Sequence, residues 1–271
     1  MAVAFRSSAS TAFANAATSV VTKPSGLAVG DLMIAQFSAE SGAYTYTPPT
    51  GFTLIDTITG GANRASKIYY KVADSSDVAA SNFTFTITGG PGQCSANIMA
   101  FSGASVPQPV YSNSKVVNAS SVLSIPTISV LANSILVQCM VTSTGGTSSA
   151  SGYAIATSNP TWTEAWDANV SAVISHASAY SAVRAASTDT GAGSITIASG
   201  TALTGGALML SIPPDQSIST SDTVTSSEVR TLNLNFIATD TITSSDSVTG
   251  VISRVWTKLA RNIKSWTNQD R

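Results

Sequence analysis

With 271 residues the chain has room for one large domain or two ordinary ones, and only 10% of those residues are charged. An average globular protein carries roughly 25%, so Ser, Thr, Ala and Gly fill the gap here. Low charge with a positive mean hydropathy excludes a disordered chain, and a net charge of −1 with no basic field over the body excludes nucleic acid as its partner.

The opening "MAVAFRSSASTAFANAATS" has neither an early basic region nor an apolar stretch of about 7–15 residues, so no signal peptide is expected. Short β-rich runs then alternate with turn chemistry: "YTYTPP", "GFTLIDTITGG", "ASKIYYKVA", "NFTFTITGG" and "SANIMAFSG". "FTFTIT" alternates strictly, with Phe83, Phe85 and Ile87 on one face and Thr84, Thr86 and Thr88 on the other. Gly89-Gly90-Pro91-Gly92 ends that strand, because glycine permits positive φ and proline lacks a donor. Asp74 and Asp77 in "DSSD" read as turn residues rather than a calcium site. Cys94 and Cys139 both sit in apolar runs and read as buried free thiols.

The second half repeats the first. "VVTKPSGLAVGDLMIAQF" (20–37) aligns with "LSIPTISVLANSILVQCM" (123–140), bringing Leu32-Met33-Ile34 near Ser134-Ile135-Leu136. "PPTGFTLIDT" (48–57) aligns with "SNPTWTEAWD" (158–167), placing Phe52 over Trp162, and "NIMAFSG" (97–103) with "ALMLSIP" (207–213). The offset stays between ~102 and ~112 residues, the signature of a duplicated core with loop drift. The apolar window at 122–141 contains Pro126, Asn133 and Gln138, so it reads as strand, turn, strand and not as a spanning helix. The expected fold is all-β: two tandem pseudo-repeated β-sandwiches of jelly-roll or Greek-key type, residues 1–108 and 109–214.

After Pro213-Pro214 the texture changes. "SDTVTSSEVR" (221–230) recurs as "TDTITSSDSV" (239–248), so residues 215–250 read as an extended linker. Residues 251–271 read as a short amphipathic helix. Ile252, Val255, Leu259, Ile263 and Trp266 form one stripe, while Arg254, Lys258 and Arg261 lie on another face. These 21 residues sum to +4, leaving −5 on the rest. An isolated helix of about fifteen residues is marginal in water, so the stripe calls for a partner. Trp256 and Trp266 are the candidate hot spots there, with Lys258 and Arg261 meeting acidic groups at the rim. Asn262, Asn268 and Gln269 beside the stripe argue against membrane insertion.

Catalytic chemistry is thin. His176 stands alone on a predicted strand, at its surface or a subunit contact, and no GxSxG elbow occurs. No metal-ligand or cofactor motif appears, and neither is expected. Glu164 and Asp167 flank Trp166, but three residues apart on a regular strand they point to opposite faces. Tyr44, Tyr46, Trp162 and Trp166 fall at equivalent places in the two halves, and a cluster of them at one end would stack on sugar rings as a glycan-binding tip.

One resemblance gathers these segments. "VTKPSGLAVGDLMIAQFS…TPPTGFTLI…KIYYKVA…NFTFTITGG…MAFSGA" resembles a β-sandwich module of phage minor tail and tail-fibre-like proteins, and "DTVTSSE" and "WTNQ" resemble the C-termini of phage virion proteins. Phe52 stands where that module usually has tryptophan, and the second half is diverged. The resemblance implies a non-enzymatic virion-surface protein (minor tail, fibre or head decoration) that folds in the host cytoplasm. It also implies other virion proteins and sister copies as partners, reached through the C-terminal segment, and brings no catalytic residues. A glycan-binding adhesion module is the alternative.

Overall fold

The computed structural model describes residues 2–61, 64–105, 109–110, 112–143, 150–170, 173–197 and 204–215. In the first half, β1 (Ala4–Ser10), β2 (Ala14–Ala16), β3 (Thr18–Thr22) and β4 (Leu32–Ala39) come first. They are followed by β5 (Thr45–Thr47), β6 (Thr53–Gly60), β7 (Arg64–Val72), the short helix α1 (Ser75–Ala79), β8 (Asn82–Thr88) and β9 (Gly92–Ser102). The second half supplies β10 (Ser112–Ala119), β11 (Val122–Ile125), β12 (Ile135–Ser143) and β13 (Ala150–Ile155). It ends with β14 (Trp162–Val170), β15 (Ile174–Ser181), β16 (Gly193–Ile197) and β17 (Thr204–Ile212). All the pairings are antiparallel, so the described fold is all-β as expected.

Strand order repeats between the halves. One large sheet runs β1-β9-β4-β7-β6, with β2 pairing on β9, and the other runs β10-β17-β12-β15-β14. The small sheets run β3-β8-β5 and β11-β16-β13. Position for position these are the same arrangement. The registers also fix the residue correspondence. Leu32 faces Phe101 and Tyr70 lies across from Ile34, just as Ile135 faces Ile212 and Tyr180 lies across from Val137. The match is therefore Leu32 with Ile135, as aligning 20–37 with 123–140 has it, and Met99 with Leu210, one residue from the alignment of 97–103 with 207–213. A slip of one residue reverses which face a side chain occupies.

Three buried apolar clusters lie between the sheets. One joins Val21, Phe83, Phe85 and Ile87 of the first small sheet to Met33, Phe37 and Ile98 of the large sheet. Another joins Leu123, Ile125 and Ile195 to Leu136, Met140 and Met209 in the second half. The middle cluster belongs to both halves: Leu32, Ile34, Ile68, Met99 and Phe101 pack with Val137, Cys139, Val141, Leu208 and Leu210. The two large sheets thus pack face to face, and β4 is buried along its whole length. This accounts for the unbroken apolar runs "LMIAQF" and "ILVQCMV", since a strand covered on both faces has no polar side to show.

"DSSD" forms the start of α1. Asp74 is its N-cap, accepting from the backbone N–H of Ser76 and Asp77, while Asp77 accepts from the Asp74 N–H in return. The Lys71 ammonium lies 2.7 Å from Asp77, so both carboxylates serve the local structure.

At one corner of the middle interface the two sheet backbones come close. A β-carbon on Gly60 would lie 2.7 Å from the carbonyl oxygen of Val141, and one on Gly206 would run into the backbone of Thr59. Gly206→Ala should therefore cost about 1–3 kcal/mol in urea denaturation through overpacking, whereas Ala at Gly152, where the nearest atoms stand at 3.8 Å, should lie within about 1 kcal/mol of wild type.

Candidate functional site

β14 carries Trp162, Glu164, Trp166 and Asp167 close together in the chain. Regular alternation would send Glu164 and Asp167 to opposite faces, but the strand is bulged at Ala165: Glu164 pairs with Ala179, and the register shifts before Trp166 pairs with Ser178 and Asp167 with Ala177. One extra residue turns the following side chains over. Glu164 and Asp167 therefore share the face of Ala177 and Ala179, while Trp166 takes the other face. This corrects the expectation from spacing.

On that face Asp167 accepts a hydrogen bond from the Ala150 N–H through Oδ2 at 3.1 Å, and its Oδ1 is buried without a partner among the described residues. The phenol oxygen of Tyr153 on β13 is likewise buried and unpartnered. The Tyr153 ring stacks on Trp162 at 6.1 Å between centroids. The indole N–H of Trp162 donates to Asn159 Oδ1 at 3.0 Å, and the same oxygen accepts from the Ile155 N–H at 2.9 Å. Burial, and then the neighbouring Glu164 charge, push the Asp167 carboxyl up to about 6 against the pull of the Ala150 N–H. Partial burial also raises Glu164, and burial followed by the two carboxylates raises the Tyr153 phenol. The arrangement raises the Asp167 carboxyl towards the neutral range beside a second carboxylate.

The first half contains the same bulge, between Leu54 and Asp56 on β6, but none of this chemistry. Leu54 and Thr57 stand where Glu164 and Asp167 stand. The tyrosine on the corresponding strand β5, Tyr46, donates its hydroxyl proton to the Ser41 carbonyl at 2.9 Å.

His176 is found in the middle interface, fully buried, and not at a strand surface. The indole N–H of Trp166 reaches its Nε2 at 2.9 Å. An indole only donates, so Nε2 is the acceptor and the ring proton sits on Nδ1, donating to Ser38 Oγ at 2.7 Å. Ser38 continues to Ser66 at 2.7 Å, and Ser95 stands 3.1 Å from Nε2 while donating to the Thr11 carbonyl. Phe13 packs on the imidazole at 4.8 Å. Burial pushes the imidazole down to about 3, so it is neutral. No carboxylate hydrogen-bonds to it among the described residues, so the group acts as a polar joint between the halves.

The four aromatics do not form one tip. Tyr46 is buried against Phe37, with Lys67 over its ring, and Trp166 is committed to His176. Tyr44 lies against Gly89 and Gly92 in the first half, while Trp162 keeps company with Tyr153 in the second. Cys94 and Cys139 are free and buried, and burial raises both thiols. Ile252, Val255, Trp256, Lys258, Leu259, Arg261, Ile263 and Trp266 lie outside the described residues, as does the expected linker 216–250. No group of three or more His, Cys, Asp and Glu side chains converges among the described residues, and no helix among them is long and apolar enough to cross a membrane. No protein-family model, curated protein or solved structure matches this chain.

The two buried titrations oppose one another. Asp167 titrates higher in the fold than its ordinary value of 3.8, so its contribution is full below about pH 4 and is lost as pH rises through about 6. His176 titrates below its ordinary 6.5, so its contribution is full above that value and is lost as pH falls towards 3. In urea midpoints measured from pH 3 to 8, Asp167→Asn should remove the loss on the neutral side. His176→Gln should remove an acid-side slope approaching ~1.4 kcal/mol per pH unit. Wild-type slopes persisting in both variants would contradict these assignments.

Proposed function

We propose that this chain is a non-enzymatic structural protein of a tailed-phage virion, displayed on the particle surface and attached through residues 251–271. The fold is read as two tandem sandwiches, 1–108 and 109–214, followed by a linker and an amphipathic helical anchor that binds another virion protein or sister copies. The observation that carries this reading is how the chain leaves its body. Ala104 bridges to Pro214. The Ser105 N–H donates to the Pro213 carbonyl at 2.9 Å, and the Asp215 N–H to the Gly103 carbonyl at 2.7 Å. The segment entering the tail is thus bonded to the end of the first half as well as continuing β17 of the second. A load on the tail reaches both halves together, as a displayed body on an anchor requires.

The order of the phage-like segments supports the same reading. "GDLMIAQF" leads into and forms β4, "GFTLI" enters β6, "KIYYKV" falls in β7, "NFTFTIT" is β8, and "MAFS" closes β9. The alternative, a glycan-binding adhesion module, is favoured by the partly exposed Trp162 sharing a face with Glu164.

Co-sedimentation with particles lacking this protein tests the anchor. Full-length chain should pellet, while 1–250 should stay in the supernatant with an unchanged circular dichroism spectrum. Trp256→Ala with Leu259→Ala should reduce pelleting at least about tenfold, the loss of two hot-spot residues. Equal pelleting of full-length and truncated chains would overturn the anchor.

A further inference from the structure

The geometry points to a binding site for a hard divalent cation, of Ca²⁺ type, at the rim formed by β13 and β14, held by Asp167, Glu164 and Tyr153. This goes beyond the virion reading and does not depend on it.

The first argument is the unmet demand of buried oxygens. Asp167 Oδ1 and the Tyr153 phenol oxygen are both buried, and neither has a hydrogen-bond partner among the described residues. Groups of this kind are rare in folded proteins and cost about 1–3 kcal/mol each when left unmet, more when charged. A bridging water would satisfy the geometry and leave two carboxylates on one face; a cation satisfies the oxygens and the charge together. Among the described residues, neither Glu164 nor Asp167 makes an ion pair with Lys or Arg.

The second argument is internal comparison. Both halves carry the same bulge at the same register, and in the first half the matching side chains are Leu54 and Thr57. The bulge by itself therefore belongs to the architecture. What the second half adds is two carboxylates and an unsatisfied phenol, placed where the bulge turns them to one face.

The chemistry of the donors selects the ion. All three are oxygens, with no thiolate or imidazole, which favours a hard cation over zinc or copper. Two acids three residues apart on a bulged strand do not impose a near-ideal octahedron. Ca²⁺ accepts six to eight oxygens in flexible geometry and completes its shell with water, whereas Mg²⁺ does not adapt in this way. Two carboxylates give weak affinity, in the range of about 10⁻⁴–10⁻³ M typical of extracellular calcium modules.

Terbium(III) is a direct probe, because its luminescence is sensitised by a nearby indole or phenol, and Trp162 and Tyr153 stand beside the site. Full-length protein should sensitise Tb³⁺, and millimolar Ca²⁺ should quench the signal far better than Mg²⁺. Asp167→Asn and Glu164→Gln should each weaken binding at least about tenfold. Glu164 is exposed, so that variant keeps the test open if Asp167→Asn misfolds. Saturating Ca²⁺ should raise the Tm of wild type by about 2–5 °C and that of Glu164→Gln by less than about 1 °C. Trp162→Phe should dim the luminescence while leaving the Ca²⁺-induced Tm shift intact. A Tb³⁺ signal that Ca²⁺ does not displace, or equal Ca²⁺ protection of wild type and Glu164→Gln, would overturn the site.

Discussion

Everything in the body of this protein depends on the face-to-face packing of its two large sheets. A sheet with one face on a small partner sheet and the other on water needs strands that alternate. Here β4 and β12 are covered on both faces, and their sequences lose alternation altogether. Each half depends on the other to cover Leu32, Ile34 and Phe101 on one side and Val137, Leu208 and Leu210 on the other. At ~1.5–3 kcal/mol for each large side chain removed from water, exposing that surface would exceed the whole stability of an ordinary domain. The described residues accordingly belong to one compact unit.

An apolar interface of this size still needs something to set its register. That role falls to a strip of polar side chains within it. Gln36 donates to the Met140 carbonyl at 2.8 Å, Asn97 to Ser178 Oγ at 2.7 Å, and His176 links Ser38 and Trp166. Each bond crosses from one half to the other, except that between Trp166 and His176, which orients the ring. Sliding the sheets past one another would leave these groups buried and unpaired, which costs more than the bonds contribute. The strip is also asymmetric. The registers place Ser66 where the second half has His176, and Ile68 where it has Ser178. The two faces are thus complementary to each other and not self-complementary.

The bulges on β6 and β14 show how one architectural device serves two ends. In the first half the bulge sends Asp56 towards the second half, where it meets Lys115 at 2.5 Å. In the second half the same turn-over brings Glu164 and Asp167 together beside Tyr153. Fold constraint and local chemistry have separated at this position, because the bulge is a backbone property while the side chains it presents are free to change.

Legibility in the sequence divides along the range of the interaction. The amino-acid sequence by itself determined that the described fold is all-β, because alternation and turn residues act over a few positions. "FTFTIT" became β8 with Phe83, Phe85 and Ile87 buried as its pattern requires. Phe52 also matches Trp162 as aligned. Only the tertiary structure decided which face met which. The continuous apolar runs of β4 and β12 are the local trace of double burial, yet they do not name the covering surface. His176 lies in a sequence that a strand surface would also accept, and its burial follows from the sheet packed over it. Ala165 carries no mark of a bulge, since the extra residue is set by pairing with β15. For that reason, two acids that spacing puts on opposite faces stand on one.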